Sequence, residues 1–302
     1  MDFKKEAELL GIGNTPLIPY EEDFDADIYV KNETMNASGS VKDRAALMMI
    51  LDAEEKGLLA KGDTIVEATS GNMGISLAYV GIKRGYKVLL TMPETTPTEF
   101  REMLQGLGAQ VVLTEEALGM KGAIEAAEQY LTKKGHVWLK QFSNPEVVSA
   151  HYLLIGEEIL NELERIDVVV AGVGTGGTLV GVGRRIREKF PSCEIVAVEP
   201  ASSPLLSRGA SGAHKILGIG ANFLPPLYDS TLVNRVELVT DEQALDMFKT
   251  LNLRQGYCCG ISSAANIVVA TRLAEDPAYA GKTIVTFFAD SDDRYGSILN
   301  AK

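Results

Sequence analysis

Short runs of apolar, mostly β-branched residues recur along the chain, separated by stretches of helical character. The runs are D-I-Y-V-K (27–31), D-T-I-V-E (63–67), K-V-L-L-T (87–91), Q-V-V-L-T (110–114), D-V-V-V-A (167–171), E-I-V-A-V (194–198) and T-I-V-T-F-F (283–288). They are continuous rather than alternating, as expected of parallel strands buried on both faces. Between them the spacing is helical. Apolar residues at 120, 123, 124, 127, 130 and 131 predict a helix starting near Met120. Strand–helix alternation predicts an α/β fold with open, mostly parallel sheets flanked by helices. Two lobes are expected: a smaller one over residues 38–145, and a larger one over 1–37 and 146–302. Ligands of such folds bind beyond the carboxyl ends of the strands, where the connecting loops meet.

Composition narrows the function classes. The 302 residues are 46% hydrophobic and 23% charged, which suits one or two ordinary globular domains. A net charge of -12 argues against nucleic acid or an anionic membrane as partner. Three cysteines, two of them adjacent (Cys258 and Cys259), give neither a disulfide framework nor a zinc spacing, and point to the cytoplasm. No apolar run approaches the ~20 residues of a membrane-spanning helix, and the N-terminus lacks a signal-peptide core.

The first chemical signal is A-G-V-G-T-G-G-T-L-V-G-V-G (171–183), which follows a strand and opens a helix. Gly172, Gly174 and Gly177 satisfy G-x-G-x-x-G, and Glu199 ends the next strand, so an NAD-dependent dehydrogenase is one reading. The physics common to such loops is anion binding by backbone N–H groups at a helix N-terminus. Thr175 and Thr178 add two hydroxyls to the turn, which favours a phosphomonoester over a dinucleotide.

The second signal is N-A-S-G-S-V-K-D-R-A-A-L (36–47). With Ser40 as N-cap, Lys42 falls in the first helical turn, where the dipole and burial both disfavour an ammonium. A neutral amine there is the nucleophile that condenses with an aldehyde. The bland alternative is a solvated lysine beside Asp43 and Arg44. A Schiff-base lysine together with a phosphomonoester cup points to pyridoxal phosphate. A third stretch, E-A-T-S-G-N-M-G (67–74), is another strand-to-helix loop of donors, suited to a second anion such as a carboxylate, or to simple helix capping.

With these motifs in order, the chain resembles the fold-type-II pyridoxal-phosphate enzymes of the cysteine synthase (O-acetylserine sulfhydrylase) and cystathionine β-synthase group. The markers run from I-G-N-T-P-L (12–17) through N-A-S-G-S-V-K-D-R, T-S-G-N-M-G, T-M-P-E-T (91–95), Q-F-S-N-P (141–145), G-V-G-T-G-G-T, A-V-E-P (197–200), G-I-G-A-N-F (218–223) and C-G-I-S-S (259–263) to D-R-Y (293–295). The dehydrogenase reading recedes to a remote alternative. A non-catalytic binding module on the same fold would need Lys42 replaced.

The resemblance implies a two-lobed enzyme, tryptophan synthase β-like in fold, and a homodimer. Lys42 would carry the cofactor and act as the base at the substrate α-carbon. Gly174, Thr175, Gly176, Gly177 and Thr178 would cradle the phosphate, Asn72 would bond the ring 3′-oxygen, and Ser262 would meet the pyridine nitrogen. Thr69, Ser70, Gly71 and Gln141 would hold the substrate carboxylate, with Met73 and Asn222 completing the substrate side. The implied reaction is β-replacement through an α-aminoacrylate, in the first instance O-acetylserine plus sulfide giving cysteine and acetate. The alternative starts from cysteine, releases sulfide and gives lanthionine or serine. Four departures from the family pattern bear on that choice. Met73 stands in place of a threonine and Asn222 in place of the usual glycine. Ala37 replaces a proline and Ala264 a glycine. His136, His151 and His214 form no triad or metal spacing, and His151 is expected to be a core or interface histidine.

Overall fold

The computed structural model describes residues 3–299, so residues 1–2 and 300–302 of the expected larger lobe lie outside the described residues. Ten strands form two sheets. They are β1 (Leu17–Pro19), β2 (Asp27–Asn32), β3 (Thr64–Ala68), β4 (Lys87–Pro93), β5 (Gln110–Thr114), β6 (His136–Trp138), β7 (Val168–Gly172), β8 (Glu194–Pro200), β9 (Arg235–Val239) and β10 (Thr283–Phe288). The order is β1-β2-β10-β7-β8-β9 in one sheet and β5-β4-β3-β6 in the other. All pairings are parallel except β1 with β2. The α/β class and the parallel sheets are thus as the apolar runs predict. Each of the seven predicted strands is present within two residues of its expected ends, and the helix expected from Met120 spans Gly119–Tyr130.

Packing follows from that pattern. Strands β7 and β10 lie inside the larger sheet, and their side chains feed two cores, one on each face. Val168, Val170 and Ile284 pack on one side, and Val169, Ala171 and Val285 on the other. The smaller sheet has the same two-sided arrangement, with Ile65 on one face and Val66 and Ala68 on the other.

A buried ionic cluster fixes the start of the helix Lys42–Glu55. Arg44 is fully buried and donates to Glu33 at 2.7 and 2.8 Å and to Glu158 at 2.6 and 2.8 Å. Lys31, also fully buried, stands 3.0 Å from Glu158. Asp43 is buried as well, and accepts from the Ser38 amide at 2.7 Å and from the Ser38 hydroxyl. The reading of Lys42 as a solvated lysine beside two solvated charges is therefore overturned. Both neighbours point inward because three elements need their charges to close on one another.

Candidate active site

Four helices begin at one cavity of about 880 Å³. They are Lys42–Glu55, Asn72–Lys83, Gly177–Lys189 and Ile261–Ala274, and none of the four has a side-chain hydrogen bond at its N-cap. Elsewhere the same chain builds a complete capping box, at Thr240 and Gln243. A helix N-terminus carries about half a positive charge, and without a side chain at the N-cap fewer of its amides are filled. Four such termini around one cavity favour anionic ligand groups there, inside a protein of net charge -12. Ser40 does not sit at the N-cap position, which Val41 occupies. Its hydroxyl still accepts from the Lys42 amide, at 3.3 Å.

The cavity gathers Lys42, Thr69, Ser70, Gly71, Asn72, Met73, Gln141, Gly174, Thr175, Gly176, Thr178, Asn222 and Ser262. Gly177 alone among the expected site residues is not on its lining. A Cβ there would lie 2.5 Å from Val147 Cγ1, so the missing side chain lets the neighbouring helix approach. Gly176 has φ +88° and forms the left-handed turn at the N-cap of the helix Gly177–Lys189, where the Gly177 amide donates to the Thr175 hydroxyl at 3.3 Å. Met73 is buried and Asn222 exposed at the mouth. Ala264 is a core residue and Ala37 is exposed.

Electrostatics sharpen the assignment of Lys42. Burial pushes its amine below the ordinary lysine range, with the nearby Asp290 carboxylate pulling the other way. The amine makes no ion pair or hydrogen bond among the described residues. His151 is fully buried, and its Nε2 lies 3.3 Å from the Thr178 hydroxyl. Burial, then the charges of Lys42 and Arg44, hold this imidazole well below its usual value, so it is neutral. It belongs to a π-helical turn, His151–Gly156, packed against Gly177 and Gly181. His151 therefore touches the phosphate turn, which sequence spacing alone did not reveal.

Sequence reasoning also missed Glu67 and Asp290. Glu67 is buried beside the cavity, accepts from Trp138 Nε1 at 2.7 Å, and is pushed up to about 7 chiefly by burial. Glu199, the acid of the dinucleotide reading, is buried and engaged by its own chain. It accepts from the Leu206 amide at 2.7 Å and from the Ser207 amide and hydroxyl at 3.0 and 2.5 Å.

Comparison with known proteins agrees with this geometry. The family model described as "Pyridoxal-phosphate dependent enzyme" matches residues 8–290. The chain belongs to that family. It is 44% identical over 289 residues to a cysteine synthase of Staphylococcus aureus, covering 94% of this chain and 93% of the relative. Among solved structures it is similar to a hydrogen sulfide-producing enzyme from Fusobacterium nucleatum, with TM-score 0.91, 40% identity, and 94% and 97% of the two chains covered. It is also similar to an O-acetylserine dependent cystathionine β-synthase from Helicobacter pylori, with TM-score 0.89, 34% identity and 95% of each chain covered.

The cofactor of this family is pyridoxal phosphate, and the cavity fits it. The uncapped Gly176–Thr178 turn suits a phosphate dianion. The unpaired, burial-depressed amine of Lys42 suits an aldehyde. Asn72 Oδ1 is a buried polar atom without a protein partner, and Asn72 lines the same cavity. No helix among the described residues is long and apolar enough to cross a membrane, and no group of metal-ligating side chains is present among them.

Proposed function

We propose that this enzyme performs β-replacement on an amino acid, forming cysteine from O-acetylserine and sulfide. The observation that carries the reading is the placement of the unpaired Lys42 amine in one cavity with two uncapped helix N-termini, one at Gly176 and one at Gly71. Two anions of different size have separate seats there, and the amine lies in the same hollow.

Bound pyridoxal phosphate supplies an electrophilic aldehyde and a ring that draws electrons from the substrate's α-carbon. The chain's residues do the rest. Gly174, Thr175, Gly176 and Thr178 hold the phosphate with main-chain and hydroxyl donors, and His151 supports the Thr178 hydroxyl. Lys42 would hold the aldehyde carbon until the substrate's amine displaces it, and the amine so freed would be the base that takes the α-proton. Ser262 would meet the ring nitrogen with a hydroxyl rather than a carboxylate, leaving that nitrogen without a charged partner. Thr69, Ser70, Gly71 and Gln141 hold the substrate carboxylate at the start of Asn72–Lys83. The lobe of residues 38–145, built on the smaller sheet, closes over that carboxylate and excludes water. The exposed mouth admits the small nucleophile. A homodimer is what the family resemblance suggests, and the cysteine usage suits the cytoplasm.

Met73 and Asn222 support a second reading, in which cysteine is the first substrate and sulfide leaves. The similar Fusobacterium enzyme is described as hydrogen sulfide-producing. Steady-state assays with O-acetylserine plus sulfide, with cysteine alone and with serine, each with product identification, decide between them. The proposal expects the first to be fastest; faster turnover of cysteine alone overturns it in favour of the second. Lys42→Ala must abolish all three, and full activity in that variant refutes both.

A further inference from the structure

We propose that Asp290 is a positioning residue of this active site, fixing which end of the Asn72 carboxamide faces the ring's 3′-oxygen. The inference rests on the reading of Asn72 as a cofactor contact and extends it one layer outward.

Asp290 follows β10 and is fully buried. Its Oδ2 accepts from Asn72 Nδ2 at 2.7 Å and from the Tyr295 hydroxyl at 2.6 Å. Its backbone ties two more helix starts to the same point. It bridges to Ser40, ahead of Lys42, and its carbonyl accepts from the Gly260 amide at 2.8 Å, ahead of Ser262. One residue thus touches the beginnings of three of the four helices that point at the cavity. Gly260 has no side chain because none fits: a Cβ there would lie 2.1 Å from Asp290 Oδ1.

The chemistry of the carboxylate decides the orientation of the amide. An ionised carboxylate only accepts, so it can face only the NH₂ end of Asn72. The second N–H of that same group, and the unpartnered Oδ1 of Asn72, are then left for the cavity side. An amide or hydroxyl at 290 can serve either end of Asn72, and the donor toward the cofactor is no longer fixed. Burial is the largest influence on this carboxyl and lifts its pKa above the ordinary aspartate value, but Oδ2 stays an acceptor because both its neighbours donate to it. The charged or titratable groups facing it are Arg294, Tyr295, Lys42 and Cys259, and the first three oppose the effect of burial. The helix dipoles aimed at the same point act in the same direction.

The test uses the holoenzyme reconstituted with pyridoxal phosphate. Its readouts are the cofactor's visible absorption band and the cofactor dissociation constant. Asp290→Asn is expected to shift the band and weaken the cofactor about tenfold, the size of one lost charge-assisted hydrogen bond. Asn72→Ala does the same, and Asp290→Asn adds little on that background, because the first residue acts through the second. Tyr295→Phe keeps the carboxylate and leaves the band in place. Asn72→Asp approaches the pair without touching position 290. Two facing carboxylates repel, so it must weaken the cofactor more than Asn72→Ala. The proposal is overturned if Asp290→Asn leaves band and affinity unchanged, if the two substitutions act additively, or if Asn72→Asp binds as well as Asn72→Ala. These readouts need no turnover, so they stand or fall separately from the β-replacement assay.

Discussion

Replacing Glu158 by Gln probes the buried cluster that seats the lysine helix. Glu158 sits in the helix Glu157–Glu162, with its side chain 16% exposed. It accepts from two guanidinium nitrogens of Arg44, from the Asn14 amide at 3.0 Å, and pairs with Lys31 at 3.0 Å. Burial alone would raise its pKa. Hydrogen bonds and charge from Arg44, then Lys31 and the Asn14 amide, bring it down instead, from 4.5 to about 2. A depression of that size corresponds to about 3 kcal/mol of stability. The cost of leaving a buried cation without its partner, about 3–5 kcal/mol, is of the same order. Glutamine keeps the shape but turns an N–H₂ donor toward donors. Urea unfolding of the cofactor-saturated protein, followed by circular dichroism, is therefore expected to show a loss of about 3 kcal/mol at neutral pH. The folded-state pKa is depressed, so the stabilisation is complete above 4.5 and disappears as pH falls through about 2. Parent and variant should converge over that window. Glu162→Gln is the internal control: that carboxylate also faces Lys31, at 3.4 Å, but is 44% exposed and should cost under about 1 kcal/mol. A Glu158→Gln deficit below about 1 kcal/mol at neutral pH, or one that persists unchanged in acid, refutes the reasoning.

Gly39 has φ +78°, and a Cβ there would lie 3.0 Å from Arg294 Nη1; Gly39→Ala should destabilise by about 1–2 kcal/mol or more, read from the urea midpoint. His151→Asn should raise the cofactor dissociation constant several-fold through Thr178. Because the imidazole is held neutral, the parent's cofactor affinity should show no histidine step between about pH 6 and 8. Asn222→Gly should move the ratio of kcat/KM for O-acetylserine over cysteine by about tenfold, measured on the two substrates in parallel, since this side chain lines the mouth and not the phosphate turn.

The pattern of apolar runs revealed seven of the ten strands because those seven carry their signal locally. The other three do not. β1 and β6 have three residues each, too few for any periodicity. β9, R-V-E-L-V, lies at the sheet edge with four of its five residues half-buried, so its charges mask the run. The same division holds at the site. Gly174–Thr178 and Thr69–Asn72 were legible because their chemistry is that of the backbone, which needs glycines and hydroxyls in sequence. Ser40 was misplaced by one position because a cap and a near-cap look alike in sequence.

Asp290 was invisible for a different reason. In sequence it opens D-S-D-D-R-Y, an acidic run that reads as a solvated loop. Its partner Asn72 is 218 residues away. The D-R-Y marker is explained by the same fold. Arg294 donates to the Ser38 carbonyl and Tyr295 to Asp290, so the motif braces the lysine loop from behind. A motif can thus be recognised before its work is understood. Direct cofactor contacts lie on short loops that a sequence displays whole. The residues that aim them are assembled from distant segments, and only burial and hydrogen-bond geometry separate such a carboxylate from the solvated acids beside it.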